Sequence, residues 1–143
     1  MDNMIYRLLS IVIAMSFHEL SHAFVSHSLG DPLPKRDGRL TLNPIKHIDP
    51  LGALMIIVAG FGWAKPVMVN PDYYEDRKFG MVMTAFAGPL SNFVLAFICI
   101  VIMRFFFYHS FLEYLMMINI VLGVFNMFPI PPLDGSKVFG ALL

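Results

Sequence analysis

His18, Glu19 and His22 stand in the pentapeptide HELSH, an H-E-x-x-H sequence. A separation of four residues is about one helical turn, so on a helix both imidazoles project from one face and can bind a single metal ion. Glu19, beside the first of them, can reach a water on that metal and act as general base. The plainer reading is a pair of packed, hydrogen-bonded helix histidines. The setting favours chemistry: the upstream residues LLSIVIA resemble membrane interior, where an ionisable side chain is costly and marks function by default.

A catalytic metal of this kind takes three protein ligands and keeps a position open for water. His27 lies five residues beyond His22, roughly 140° around the helix, and points away. His47 falls in a polar loop, and His109 at the opposite membrane face. Asp134 remains, in NMFPIPPLDGSK, on backbone broken by prolines and turned by Gly135. Asp134 reads equally well as the N-cap of a short helix over SKVFGALL.

The elements that must carry these residues are membrane elements. The chain has 143 residues, 57% hydrophobic and only 14% charged, too apolar for an ordinary soluble domain. Ten basic and ten acidic residues cancel and gather between the apolar runs, so nothing suggests a nucleic-acid-binding surface. Cys99 is the single cysteine, so neither a disulfide framework nor a cysteine metal cluster exists. The first apolar run is interrupted by His18 and Glu19 with no small-x-small cleavage site after it, and an uncleaved N-terminus is expected.

The expected fold is an all-α membrane protein, one embedded unit over residues 1–143. Three core transmembrane helices are predicted at about residues 4–29, 80–108 and 111–128. A shorter apolar run, Leu51 to Trp63, reaches only about 20 Å as a helix and is expected to be re-entrant or interfacial within a partly inserted segment, about 51–69. Basic residues flank that run on both sides (Lys35, Arg36, Arg39 and Lys46; Lys65, Arg77 and Lys78), so it should enter and leave by the cytoplasmic face. Only a non-crossing run brings His18 and His22, the stretch 88–92 and the stretch 126–134 to the same leaflet.

The motifs HELSH, AGPLSN and NMFPIPPLDG, in this order, resemble the three core-helix motifs of the site-2 protease family of intramembrane zinc metalloproteases. The stretches GRLTLNPIKHIDPLG and GFGWAKPVMVN are similar to that family's loop signatures, so the resemblance covers most of the chain. It implies that His18, His22 and Asp134 hold one zinc ion, that Glu19 is the catalytic carboxylate, and that Asn92 and Asn126 lie close to the scissile peptide. Either asparagine could donate to the developing oxyanion, and interhelical hydrogen bonding is the alternative use. The family resemblance also implies an extended strand or hairpin around WAKPV; because a transmembrane helix must unwind before its peptide bonds can be attacked, Trp63, Val67 and Val69 there are expected to hold the unwound substrate by strand addition. The alternative is a simple hairpin that holds the short run in the interface. Met68 departs from the usual KPVPVN.

The expected function is hydrolysis of peptide bonds within or near transmembrane helices of membrane proteins, in a multi-pass protein of a prokaryotic cell membrane. A catalytically inactive relative that binds transmembrane segments, or a metal or proton transporter, are the competing readings. The chain stops at Leu143, nine residues after Asp134, where the family continues into a further helix. The expectation is therefore a C-terminally truncated core, or a homo-oligomer in which another copy supplies the missing wall.

Overall fold

The computed structural model describes residues 2–143. Helix α1 spans Asp2–Ser28 and ends where Asp31 and Pro32 turn the chain. A single turn, α2 (Leu33–Arg36), leads through a loop to α3 (Pro50–Ala59), which Asp49 caps by accepting from the N–H groups of Leu51 and Gly52. Helix α4 covers Arg77–Phe105, with Asp76 capping through Phe79 N–H, and α5 covers Ser110–Asn126, with the His109 ring as its cap. After the proline-broken turn, α6 runs Asp134–Leu142.

Helices α1, α4 and α5 pack on one another and α6 lies against α4. Two helices, within Asn3–Ser28 and Arg77–Phe105, are long and apolar enough to cross a bilayer. The third expected span is shorter than predicted. At 17 residues α5 is only about 26 Å long, because the chain turns at Met127 and the prolines at 129, 131 and 132 prevent the helix from continuing.

Helix α3 has ten residues and ends at Gly60, whose φ of 78° sends the chain back. The return is tight: a Cβ on Gly52 would stand 2.0 Å from the Trp63 carbonyl oxygen, and one on Gly62 would stand 2.0 Å from the Gly52 carbonyl oxygen. The segment predicted at 51–69 is thus a short helix with an extended return. That return, residues 61–70 and here called the strap, is not a strand. Among the described residues it makes one isolated antiparallel bridge, Ile48 with Ala64, and Lys65 N–H donates to the His47 carbonyl at 2.8 Å. Pro66 has no N–H to extend the ladder, and side chains from elsewhere take its carbonyl and the N–H groups of Val67 and Asn70.

Candidate metal centre and catalytic cleft

Two residues of α1 and the first residue of α6 meet at the centre of the bundle. His18 Nε2 lies 2.8 Å from Asp134 Oδ2, His22 Nε2 lies 3.0 Å from the same oxygen, and the two Nε2 atoms are 3.1 Å apart. All three residues are buried. Asp134 is not a cap: Leu133 holds that position, and the Asp134 carboxylate points at the imidazoles.

Hydrogen-bond bookkeeping determines what these atoms can hold. Asn92 Nδ2 donates twice, to the Ala14 carbonyl at 3.1 Å and to Asn119 Oδ1 at 2.9 Å, so its Oδ1 is the acceptor that faces His18 Nδ1 at 2.6 Å. His22 Nδ1 donates to the Thr84 carbonyl at 2.7 Å. With both Nδ1 atoms protonated, neutral rings present lone pairs at both Nε2 atoms. Three lone-pair-bearing atoms then converge with no proton between them, an arrangement that a cation satisfies. The spacing also fits, since ligands 2.0–2.1 Å from a tetrahedral zinc stand about 3.3 Å apart. Among the described residues, His18, His22 and Asp134 are the group able to hold a metal.

Helix α4 forms the back of the centre and can approach because residue 88 is glycine. A Cβ there would fall 2.4 Å from His22 Nε2 and 2.7 Å from His18 Cε1. Gly135 does the same for α6, where a Cβ would meet the Met127 carbonyl oxygen at 2.2 Å.

In front of the centre opens a cleft of about 610 Å³ lined by His18, Glu19, His22, Asp134 and Asn126 on the helix side. The strap forms the other wall with Trp63, Val67 and Val69. Glu19 Oε2 accepts from Val67 N–H at 3.1 Å. Asn126 donates to the Leu122 carbonyl at 2.9 Å and stays at the cleft wall. The two asparagines, equivalent in the sequence, therefore separate. Asn92 is fully buried behind His18 with its amide committed, and it does not line the cleft.

The remaining histidines have other partners. His27 Nδ1 faces the Asp31 carbonyl, His47 lies between Arg39 and the Thr41 carbonyl, and His109 caps α5. Sequence reasoning missed Asn119, the fully buried amide that completes the Asn92 chain. An amide inside the apolar run MMINIVLG was the available signal, because such a group needs a partner in a membrane.

A relative from Bacillus subtilis named "Putative zinc metalloprotease YwhC" is 39% identical to this chain, over 96% of the chain and 69% of the relative. The chain belongs to peptidase family M50, the site-2 type of zinc metalloprotease. The model for Peptidase family M50 matches residues 106–143, which include Asn126 and Asp134. The correspondingly named MJ0611 of Methanocaldococcus jannaschii is 33% identical over 94% of this chain and 69% of its own length. For Rip2 of Mycolicibacterium smegmatis the figures are 32%, 92% and 53%, so the chain spans about half of that relative. No solved structure matches. Membership in M50 implies zinc, and the His18–His22–Asp134 group, two imidazoles and one carboxylate, is a donor set that could hold it.

Proposed function

We propose that this chain hydrolyses peptide bonds within or near transmembrane helices of membrane-protein substrates, from a multi-pass position in a prokaryotic membrane. The observation that carries the reading is the buried His18–His22–Asp134 triangle, with edges of 2.8–3.1 Å, set between membrane-length helices and open to a cleft that holds Glu19. Zinc bound there supplies Lewis acidity, which polarises a carbonyl and lets water ionise near neutral pH. Glu19 takes the proton of the attacking water on its carboxylate and later returns it to the leaving amine. Asn126, at the cleft wall, is the side chain available to donate to the developing oxyanion.

The strap supports a clamp for an unwound substrate. The peptide bonds of a transmembrane helix are hidden until it opens, and an opened segment needs backbone partners. Among the described residues, the N–H groups of Met68 and Val69 and the carbonyls of residues 67–69 have none. They form a short free edge along the cleft, suited to strand addition.

Orientation follows from charge. His18 and His22 sit toward the C-terminal end of α1, as do Asn126 on α5 and the early residues of α4. The basic residues Lys35, Arg36, Lys46, Lys65, Arg77 and Lys78 belong to the loops, the short helix α2 and the start of α4 at that same end, which supports a cytoplasmic active site. A transporter would need a polar path along the other half of the helices, and simple binding gives Glu19 no use. The test is zinc stoichiometry together with cleavage of a model transmembrane substrate by the chain and by Glu19→Gln. Bound zinc in both with cleavage only by the unmodified chain supports the proposal, and zinc in both with cleavage by neither removes it.

A further inference from the structure

Arg39 is buried, 5% exposed, and among the described residues it makes no salt bridge. Its two terminal nitrogens face the strap. Nη2 donates to the Lys65 carbonyl at 2.5 Å and Nη1 donates to the Pro66 carbonyl at 2.9 Å. His47 braces it from behind: its Nε2 donates to the Thr41 carbonyl, which leaves Nδ1 to accept from Arg39 Nη2 at 3.2 Å. A planar fork suits two neighbouring carbonyls as a lysine ammonium does not.

The Pro66 carbonyl and the Val67 N–H belong to one peptide group. That group is trans, so its C=O and N–H point in opposite directions. Arg39 holds the oxygen on one side, and Glu19 Oε2 accepts from the N–H on the other at 3.1 Å. A buried cation and the carboxylate of the H-E-x-x-H sequence are thus joined through a single peptide dipole, each strengthening the other's hydrogen bond. Three residues further on, the opposite charge takes over: the fully buried Asp31 accepts the Asn70 N–H at 2.8 Å through Oδ2. The strap is therefore fixed by its carbonyls at 65 and 66 and by an N–H at 70, with its free edge between.

We propose that Arg39 is a positioning residue for Glu19 that acts through the Pro66–Val67 peptide and seats the strap on the catalytic carboxylate. The strap is then a fixed wall whose register against Glu19 is set by a residue that never touches substrate. The role assigned to Glu19 rests on the protease reading, whereas the seating of the strap does not.

The experiment uses the zinc-loaded, isotope-labelled chain in detergent and reads amide hydrogen exchange at Val67 and Asn70 by NMR. Arg39→Lys keeps the charge and removes the fork. It is expected to speed exchange at Val67 by about tenfold or more while Asn70, held by Asp31, is unchanged. Glu19→Ala removes the acceptor of the Val67 N–H and is expected to speed Val67 exchange with Arg39 in place. Unchanged Val67 exchange in either variant overturns the proposal, and so does equal acceleration at Val67 and Asn70 in Arg39→Lys, which is plain loosening of the loop. In cleavage assays Arg39→Lys is expected to lose about 10- to 100-fold in kcat/KM at full zinc content. If the exchange changes occur but the unmodified chain cleaves nothing, the protease reading fails and the seating stands.

Discussion

His18 Nδ1 and Asn92 Oδ1 meet at 2.6 Å, joining a histidine of the candidate metal centre on α1 to a fully buried amide on α4. The bond fixes which nitrogen of His18 carries the proton and hence which one is free for zinc. Asn92 is itself held by the Ala14 carbonyl and by Asn119, whose Nδ2 is anchored on the Leu115 carbonyl. Three helices therefore set the orientation of one imidazole.

Removing that support should weaken the metal without changing the ligands. Asn92→Ala is expected to raise the zinc dissociation constant by about 10- to 100-fold, measured by competition with a chelator. Asn119→Ala, one bond further away, should have the same sign and a smaller effect. An effect of Asn119→Ala equal to or above that of Asn92→Ala would break the proposed order of the chain.

Gly88→Ala tests how closely α4 approaches the centre. In an exposed helix interior the change would stabilise by about 0.5–1 kcal/mol. Here the new methyl would lie 2.4 Å from His22 Nε2 and 2.7 Å from His18 Cε1, so both rings must move. The expected outcome is a helical protein with most of its zinc affinity gone, read by circular dichroism and metal analysis on the same sample. Gly135→Ala should also lose zinc, with a larger loss of thermal stability, because its clash at 2.2 Å is with the Met127 backbone carbonyl, which cannot rotate away.

The parts of the site that were legible in the sequence are those with a local period or a chemical cost. H-E-x-x-H is one helical turn, and residues 18 and 22 do share a face. Asp134 could be reached by elimination, yet the choice between ligand and cap needed the fold, since it depends on where α6 starts. The helices at 2–28 and 77–105 were legible because hydrophobic length is a sum over the sequence. The strap was not: its strand-like composition is overridden by Arg39, which takes the carbonyls of 65 and 66, and by Glu19 and Asp31, which take the N–H groups of 67 and 70. The different placement of Asn92 and Asn126 was equally hidden, because it depends on which wall of the bundle each residue faces.

His47 gives the fold a pH dependence outside the membrane-length helices. Burial lowers its pKa from the ordinary value near 6.5, and the charge of Arg39 lowers it further, while the bond to the Thr41 carbonyl and the charge of Glu19 act the other way. The folded state thus binds fewer protons at this residue than the unfolded state, so stability rises with pH through the window below about 6.5 and is level above it. Thermal melts of the detergent-solubilised chain should show a lower midpoint at pH 5 than at pH 7. In His47→Gln that part of the difference should disappear, and a pH dependence identical to the unmodified chain would exclude His47 as its source.

Proline scanning of the strap distinguishes a substrate edge from a structural return. Val67→Pro removes the N–H that Glu19 accepts, so it disturbs the carboxylate and the edge together. Val69→Pro is the cleaner change, since among the described residues the Val69 N–H has no partner to lose. If unwound substrate adds to this edge, Val69→Pro should abolish cleavage of a transmembrane substrate while zinc content and melting temperature stay close to those of the unmodified chain. Retained cleavage in Val69→Pro would assign the strap to holding α3 in place, and would leave substrate to be gripped by side chains of the cleft alone.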